Sequence, residues 1–120
     1  MKDFKNKIAV VTGGGTGMGR ELVLQLAEEG CSVAMCDVIA ENMEETFELV
    51  TKQSPDVLVT KHTCDVSDEE QVIKFKDEVL SEHKTETINL LFNNAGIGGG
   101  ASFVTGSREE WERCFAVCWY

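Results

Sequence analysis

The sequence predicts an α/β fold, a doubly wound parallel sheet in a three-layer sandwich, and three observations carry that prediction. Short β-branched runs and helix-period stretches alternate four times along 120 residues. The connections between them are short. The first run shows no apolar–polar alternation, as a strand buried on both faces requires. Parallel strands joined by right-handed helical crossovers are the economical packing of such a pattern.

Ile8-Ala9-Val10-Val11-Thr12 is the first strand. Beyond Gly13-Gly14-Gly15-Thr16-Gly17-Met18-Gly19, apolar residues recur at Leu22, Val23, Leu26 and Ala27, one face of a helix, and Gly30 stands where that helix stops. Ser32–Asp37 resumes as a strand ending in an acid. Met43, Phe47 and Val50 mark a second helix, closed by Ser54-Pro55. Val57–Thr63 alternates as a third strand and runs into Cys64-Asp65-Val66. Ser67, with Glu70 three residues on, reads as a helix N-cap with its capping box, and Val72, Phe75 and Val79 line the buried side of the third helix. Ile88–Phe92 makes the fourth strand, closed by Asn93-Asn94-Ala95-Gly96. Gly98-Gly99-Gly100 is a loop, and a last helix begins near Ser107, with Glu110 three residues on.

Composition narrows the function. With 42% hydrophobic residues the chain can fill one core, which excludes a disordered segment. The longest apolar runs fall far below the roughly 18 residues of a membrane helix, and no signal-type stretch follows the N-terminus. Eleven basic against twenty-one acidic side chains give a formal charge of -10, which repels nucleic acid and anionic lipid alike. The five cysteines form no Cys-x-x-Cys pair and read as reduced, packed thiols, so the expected location is cytoplasmic. His62 and His83 are expected to be solvated or satisfied residues, and two histidines without a cysteine pair build no metal site.

A strand feeding a glycine-rich turn and then a helix directs backbone N–H groups and the helix dipole at one spot, which suits phosphate. A nucleotide P-loop fails here because Arg20-Glu21 stands where Lys and Ser or Thr are needed. The six-residue dinucleotide pattern fails because Met18 occupies the third glycine position. What remains is Thr12-Gly13-x-x-x-Gly17-x-Gly19. Gly13 lets the chain leave the strand, Gly17 lets backbone approach a pyrophosphate, and Gly19 lets the helix pack against the sheet. The alternative is a tight connection and nothing more. Asp37 ends the second strand 20 residues after Gly17, where a carboxylate accepts from both ribose hydroxyls and repels a 2′-phosphate. With no positive charge at Gly15, Thr16, Cys36 or Val38, the expected cofactor is NAD. The alternative for Asp37 is an ordinary loop acid.

The glycine pattern resembles that of the short-chain dehydrogenase/reductase family, as do Cys64-Asp65-Val66 and Asn93-Asn94-Ala95-Gly96, in the right order and over essentially the whole chain. The resemblance implies a Rossmann-type dinucleotide-binding domain over 1–120, ending after the fourth strand and part of the next helix. It implies cofactor contacts at Gly13, Gly15, Thr16, Gly17, Met18 and Gly19, with Asp37 at the adenosine ribose. Asp65 and Val66 would flank the adenine, and Asn94, Ala95 and Gly96 would pass the ribose. On the residues alone, Asp65 also suits a helix cap and Asn93 a hydrogen bond inside the sheet.

The implied reaction is hydride transfer between nicotinamide and a small alcohol or carbonyl substrate. Its Ser and Tyr-x-x-x-Lys groups do not occur in these residues, where Tyr120 is the lone tyrosine, so the chain is expected to be inactive by itself. Cys118 follows Val117 where the family often places an Asn. A thiol cannot imitate an amide carbonyl in a proton relay. An open edge at the fourth strand is expected to leave the isolated chain marginally stable or prone to associate. The resemblance also implies homo-oligomers. A different reading is a non-catalytic nucleotide-binding or protein-interaction module.

Overall fold

A computed structural model of the chain describes residues 4–95. Along the chain run β1 (Ile8–Thr12), α1 (Gly17–Glu28), β2 (Ser32–Asp37), α2 (Ala40–Gln53), β3 (Val59–Thr63), α3 (Glu69–Glu82) and β4 (Leu90–Phe92). Every strand pair is parallel and the order is β3-β2-β1-β4. The chain steps outward from β1 through β2 to β3, then returns to the other flank of β1. That reversal opens a crevice at the carboxyl ends of β1 and β4.

Period-two alternation explains the double burial of the central strands. Ala9, Val11, Val33 and Met35 face α1 and α2, meeting Val23, Leu26, Met43 and Val50. Val10, Ala34 and Cys36 face the opposite way, toward Phe75 and Val79 of α3. Helices therefore cover both faces, and the three-layer, doubly wound expectation holds.

Element ends depart from the sequence reading for identifiable reasons. α1 begins at Gly17 and ends in a Schellman turn: Gly30 N–H donates to Ala27 O, Cys31 N–H to Leu26 O, and Gly30 has φ +85°. β3 starts at Val59, not Val57, because the turn that follows α2 takes up Ser54–Val57, whose ends are joined by a hydrogen bond. β4 starts at Leu90, not Ile88, because Asn89 meets Ile8 through its side-chain Oδ1 as well as its backbone.

The cap of α3 is Asp68, not Ser67: its carboxylate accepts from Glu70 N–H, and Gln71 reaches back to Asp68 Oδ2 and Asp65 N–H. The expected Ser67…Glu70 box is not formed: the cap lies one residue along, and the Asp68 N–H donates to Asp65 O instead of to a side chain. Val72, expected on the buried side, is 38% exposed, while Phe75 and Val79 are buried. At the far end of α3, Lys84 takes the left-handed conformation usually given to glycine, with φ +51°.

Both histidines lie on the α3 side of β3 and both are buried. Thr60 Oγ1 links them, 2.9 Å from His62 Nε2 and 2.7 Å from His83 Nε2. His62 Nδ1 faces Glu78 at 3.5 Å and Glu82 at 3.4 Å, and its ring tilts against Phe75. His83 Nδ1 is buried with no partner among the described residues. Burial lowers the His83 pKa from its ordinary 6.5, the His62 charge lowers it further, and Glu82 opposes both.

A depressed histidine contributes stability that is fully present above the unfolded pKa and is lost as pH falls through the folded one. The urea midpoint is therefore expected to decline below pH 6.5, and His83→Gln to flatten that decline. Identical midpoint-against-pH curves for the two proteins over about pH 5 to 8 would refute this.

Candidate functional site

The carboxyl edge of the sheet brings together the turn after β1 and the ends of β2, β3 and β4. The turn is tightly constructed. Gly13 and Gly14 N–H both donate to Cys36 O, at 2.8 and 3.1 Å, so β2 pins the loop at its root. These two amides are consumed by the fold and are not donors toward the crevice. Gly13 turns at φ +72°, with its missing side chain aimed at Ala95 and Asn94. A Cβ on Gly19 would overlap the carbonyl oxygen of Gly13, so α1 sits directly on the turn.

Open donors lie one step further along. Thr16, the N-cap of α1, gives no side-chain hydrogen bond to the first turn, and among the described residues no backbone acceptor serves the amides of Gly17 and Met18. First-turn N–H groups have no partner within a helix, and they carry the positive end of its dipole. Gly17 has φ +57° and open space where a side chain would stand, and Met18 is 73% exposed at the lip. The arrangement suits an anionic group that lies close to the backbone.

Asp37 stands beside this turn. Its Oδ2 accepts from Gly15 N–H at 3.0 Å and its Oδ1 from Ile39 N–H at 3.2 Å. A carboxylate offers about four lone-pair sites. Both Asp37 oxygens thus retain acceptor capacity, while the two bonds fix their direction.

At the end of β4, Thr12 Oγ1 donates to Phe92 O at 3.3 Å and accepts from Asn94 and Ala95 N–H, both at 3.0 Å. Asn94 Nδ2 donates to Gly13 O at 3.3 Å. The hydrogen bond expected of Asn93 therefore belongs to Asn94, and Asn93 is exposed. After β3, Asp65 Oδ1 accepts from Ser67 N–H and Oγ, closing a turn, so it is not the helix cap, and Val66 packs against the α3-side core. Gly96 lies outside the described residues, as do Cys114, Cys118 and the last predicted helix.

The site also contains residues that the sequence reading missed. Thr46 of α2 is fully buried, and its hydroxyl lies 3.0 Å from Gly14 O and 3.2 Å from Gly15 O. Arg20 donates through Nη2 to Gly15 O at 2.6 Å and through Nε to Thr46 Oγ1 at 2.9 Å. The spacing of Met43, Thr46 and Val50 on one helical face was the available signal for Thr46. Nothing in the sequence advertised Arg20 as more than a surface charge.

The thiols of Cys36 and Cys64 touch each other in the α3-side core. Burial, reinforced by Cys64, pushes the Cys36 thiol up to about 12, and burial raises Cys31 and Cys64 as well. They are packing groups and not nucleophiles. Among the described residues there is no cluster fit to hold a metal ion and no helix long and apolar enough to cross a membrane.

A parallel sheet with this strand order and this switch point is a Rossmann-type fold. Residues 7–119 match the family model for short chain dehydrogenase, and the chain belongs to that family. It is 34% identical over 116 residues to epidermal retinol dehydrogenase 2 of Homo sapiens, covering 97% of this chain and 37% of that protein.

Among solved structures, NAD+-bound xylitol dehydrogenase superposes with a TM-score of 0.87 at 33% identity, over 97% of this chain and 44% of that one. A metagenomic short-chain oxidoreductase in complex with NADP gives 0.83 at 27% identity, over 95% of this chain and 50% of that one. The chain therefore spans half or less of the length of these relatives. Its structural neighbours include proteins holding either nicotinamide dinucleotide.

Proposed function

We propose that the chain, as one domain over residues 1–120, is the dinucleotide-binding part of an NAD-dependent oxidoreductase acting on a small alcohol or carbonyl compound. The observation that carries this reading is the Asp37 carboxylate held against the glycine turn by Gly15 N–H, beside the free first-turn amides of α1. The residues fit the cofactor. Gly17 leaves room at the backbone for a pyrophosphate, and Asp37 keeps acceptors for two ribose hydroxyls.

In this reading Gly13, Gly15, Thr16, Gly17, Met18 and Gly19 frame the phosphates, Asp65 and Val66 border the adenine, and Asn94, Ala95 and Gly96 border the adenosine ribose. The nicotinamide, when bound, supplies the hydride acceptor or donor. The role of this chain's residues is to grip and orient the other end of that molecule. The choice of NAD over NADP rests on charge: a 2′-phosphate would be brought against Asp37, and among the described residues the neighbouring Arg20 guanidinium is already engaged by Gly15 O, Thr46 and Glu45. The buried thiols favour a reducing, cytoplasmic setting.

Titration of the 120-residue chain with NADH, followed by the rise in dihydronicotinamide fluorescence, is expected to saturate, with NADPH binding at least about tenfold more weakly. Absence of NADH binding, or equal affinity for the two, would overturn the reading.

A further inference from the structure

We propose that Arg20 and Thr46 act together as a latch on the glycine turn and that this latch sets the preference for an unphosphorylated ribose, by fixing the peptide groups on which Asp37 depends. The inference rests on the dinucleotide reading of the site and names two positioning residues for it.

In a planar trans peptide the C=O and the following N–H point in opposite directions. Gly14 O is turned toward Thr46 Oγ1, at 3.0 Å, so the N–H of Gly15 must point the other way, and there it meets Asp37 Oδ2 at 3.0 Å. Gly15 O is turned toward Arg20 Nη2, at 2.6 Å, and toward Thr46 Oγ1, so the N–H of Thr16 is aimed away from α2 in the same manner. Each bond on the back of the turn thus fixes a donor on its front.

The latch has little freedom. Thr46 is 0% exposed, and its hydroxyl accepts from Arg20 Nε while its proton has Gly14 O, Gly15 O and Asn42 O within reach. Arg20 Nη2 also reaches Asn42 O at 3.3 Å, and the guanidinium plane holds its donors in a fixed fork. Its ion pair with Glu45 lies on the rim, with Glu45 65% exposed, and contributes little by itself. The value of Arg20 lies in the carbonyls it holds.

Gly15 fits the same scheme. A Cβ there would stand 2.6 Å from Asp37 Oδ2 and 2.8 Å from Asn42 Cβ, so the turn backbone packs directly against both residues. With the latch removed, the Gly14–Gly15 peptide is free to rotate, Asp37 loses its fixed orientation, and the two cofactors are told apart less well.

The test uses the 120-residue chain and compares Thr46→Val, Thr46→Ser and Arg20→Lys with the wild type. Dissociation constants for NADH and for NADPH are measured separately, beside the thermal midpoint of the free protein. Thr46→Val and Arg20→Lys are each expected to lower the NADH-over-NADPH preference about tenfold, chiefly by weakening NADH, and Thr46→Ser to restore it. A purely structural role would lower the midpoint and weaken both dinucleotides by the same factor.

An unchanged preference in Thr46→Val and Arg20→Lys therefore overturns the latch, as does loss of preference in Thr46→Ser. If Thr46→Val does not fold, Arg20→Lys decides alone. A wild-type chain that binds neither dinucleotide instead overturns the underlying reading, and the latch with it, so the two failures are distinct.

Discussion

Gly19→Ala is expected to abolish dinucleotide binding and to cost about 3 kcal/mol of stability, the upper range for forcing atoms into a closed space. The added Cβ would overlap Gly13 O, a backbone atom of the turn that β2 pins through the Gly13 N–H, and would also press on Asn94 Nδ2 at 2.7 Å. Backbone cannot rotate aside as a side chain can. The amino end of α1 must lift from the sheet, carrying the amides of Gly17 and Met18 out of line with Asp37. The checks are the urea midpoint and NADH titration of the variant. A variant with wild-type midpoint and affinity would show that the close contact of helix and turn is dispensable. Gly17→Ala offers a contrast, because space is open there and the burden is the positive φ alone.

The second large effect concerns Asp37. Asp37→Ala removes a carboxylate fixed by Gly15 and Ile39 N–H and leaves no acceptor for ribose hydroxyls. A single hydrogen bond to a charged group is worth about 1.5 to 3 kcal/mol, so the loss of even one is expected to weaken NADH binding by at least about tenfold. NADPH, relieved of the like charge, is expected to bind more tightly than to the wild type. Separate titrations with the two cofactors read both effects. An unaltered ratio would remove Asp37 from the role assigned to it.

The fold was legible wherever local chemistry and tertiary packing agreed. Ile8–Thr12 and Ser32–Asp37 are short runs of residues that fit a strand with two buried faces, and the structure places both as read. Gly30 announced the end of α1 because the left-handed position of a Schellman turn selects glycine. Ends decided by side chains were harder to read. Ser67 and Asp68 are both good N-caps, and only the reach of Gln71 back over the turn settles the choice. The start of β4 depended on an Asn89 side chain substituting for backbone across a separation of 81 residues.

The same division holds at the site. Glycines and a strand-end acid are visible in sequence because their spacing follows from the local turn. The latch is not, because Arg20 and Thr46 meet only when two helices separated by β2 lie side by side. Gly13 and Gly14 show the limit most plainly: no spacing in the sequence reveals that a carbonyl from β2 takes both of their amides.

The three hydrogen bonds of Thr12 Oγ1 have a kinetic consequence. They join residues 80 to 83 positions apart, the longest-range pairing among the described strands, and they form only when β4 reaches β1. Closing so long a loop is expected to be slow relative to the local pairings. The β1–α1–β2 unit can assemble earlier from near-neighbour contacts, but without β4 it lacks one wall of the crevice. Competence to hold the proposed dinucleotide is therefore expected late in folding, once the segment around Asn94 has emerged from the exit tunnel.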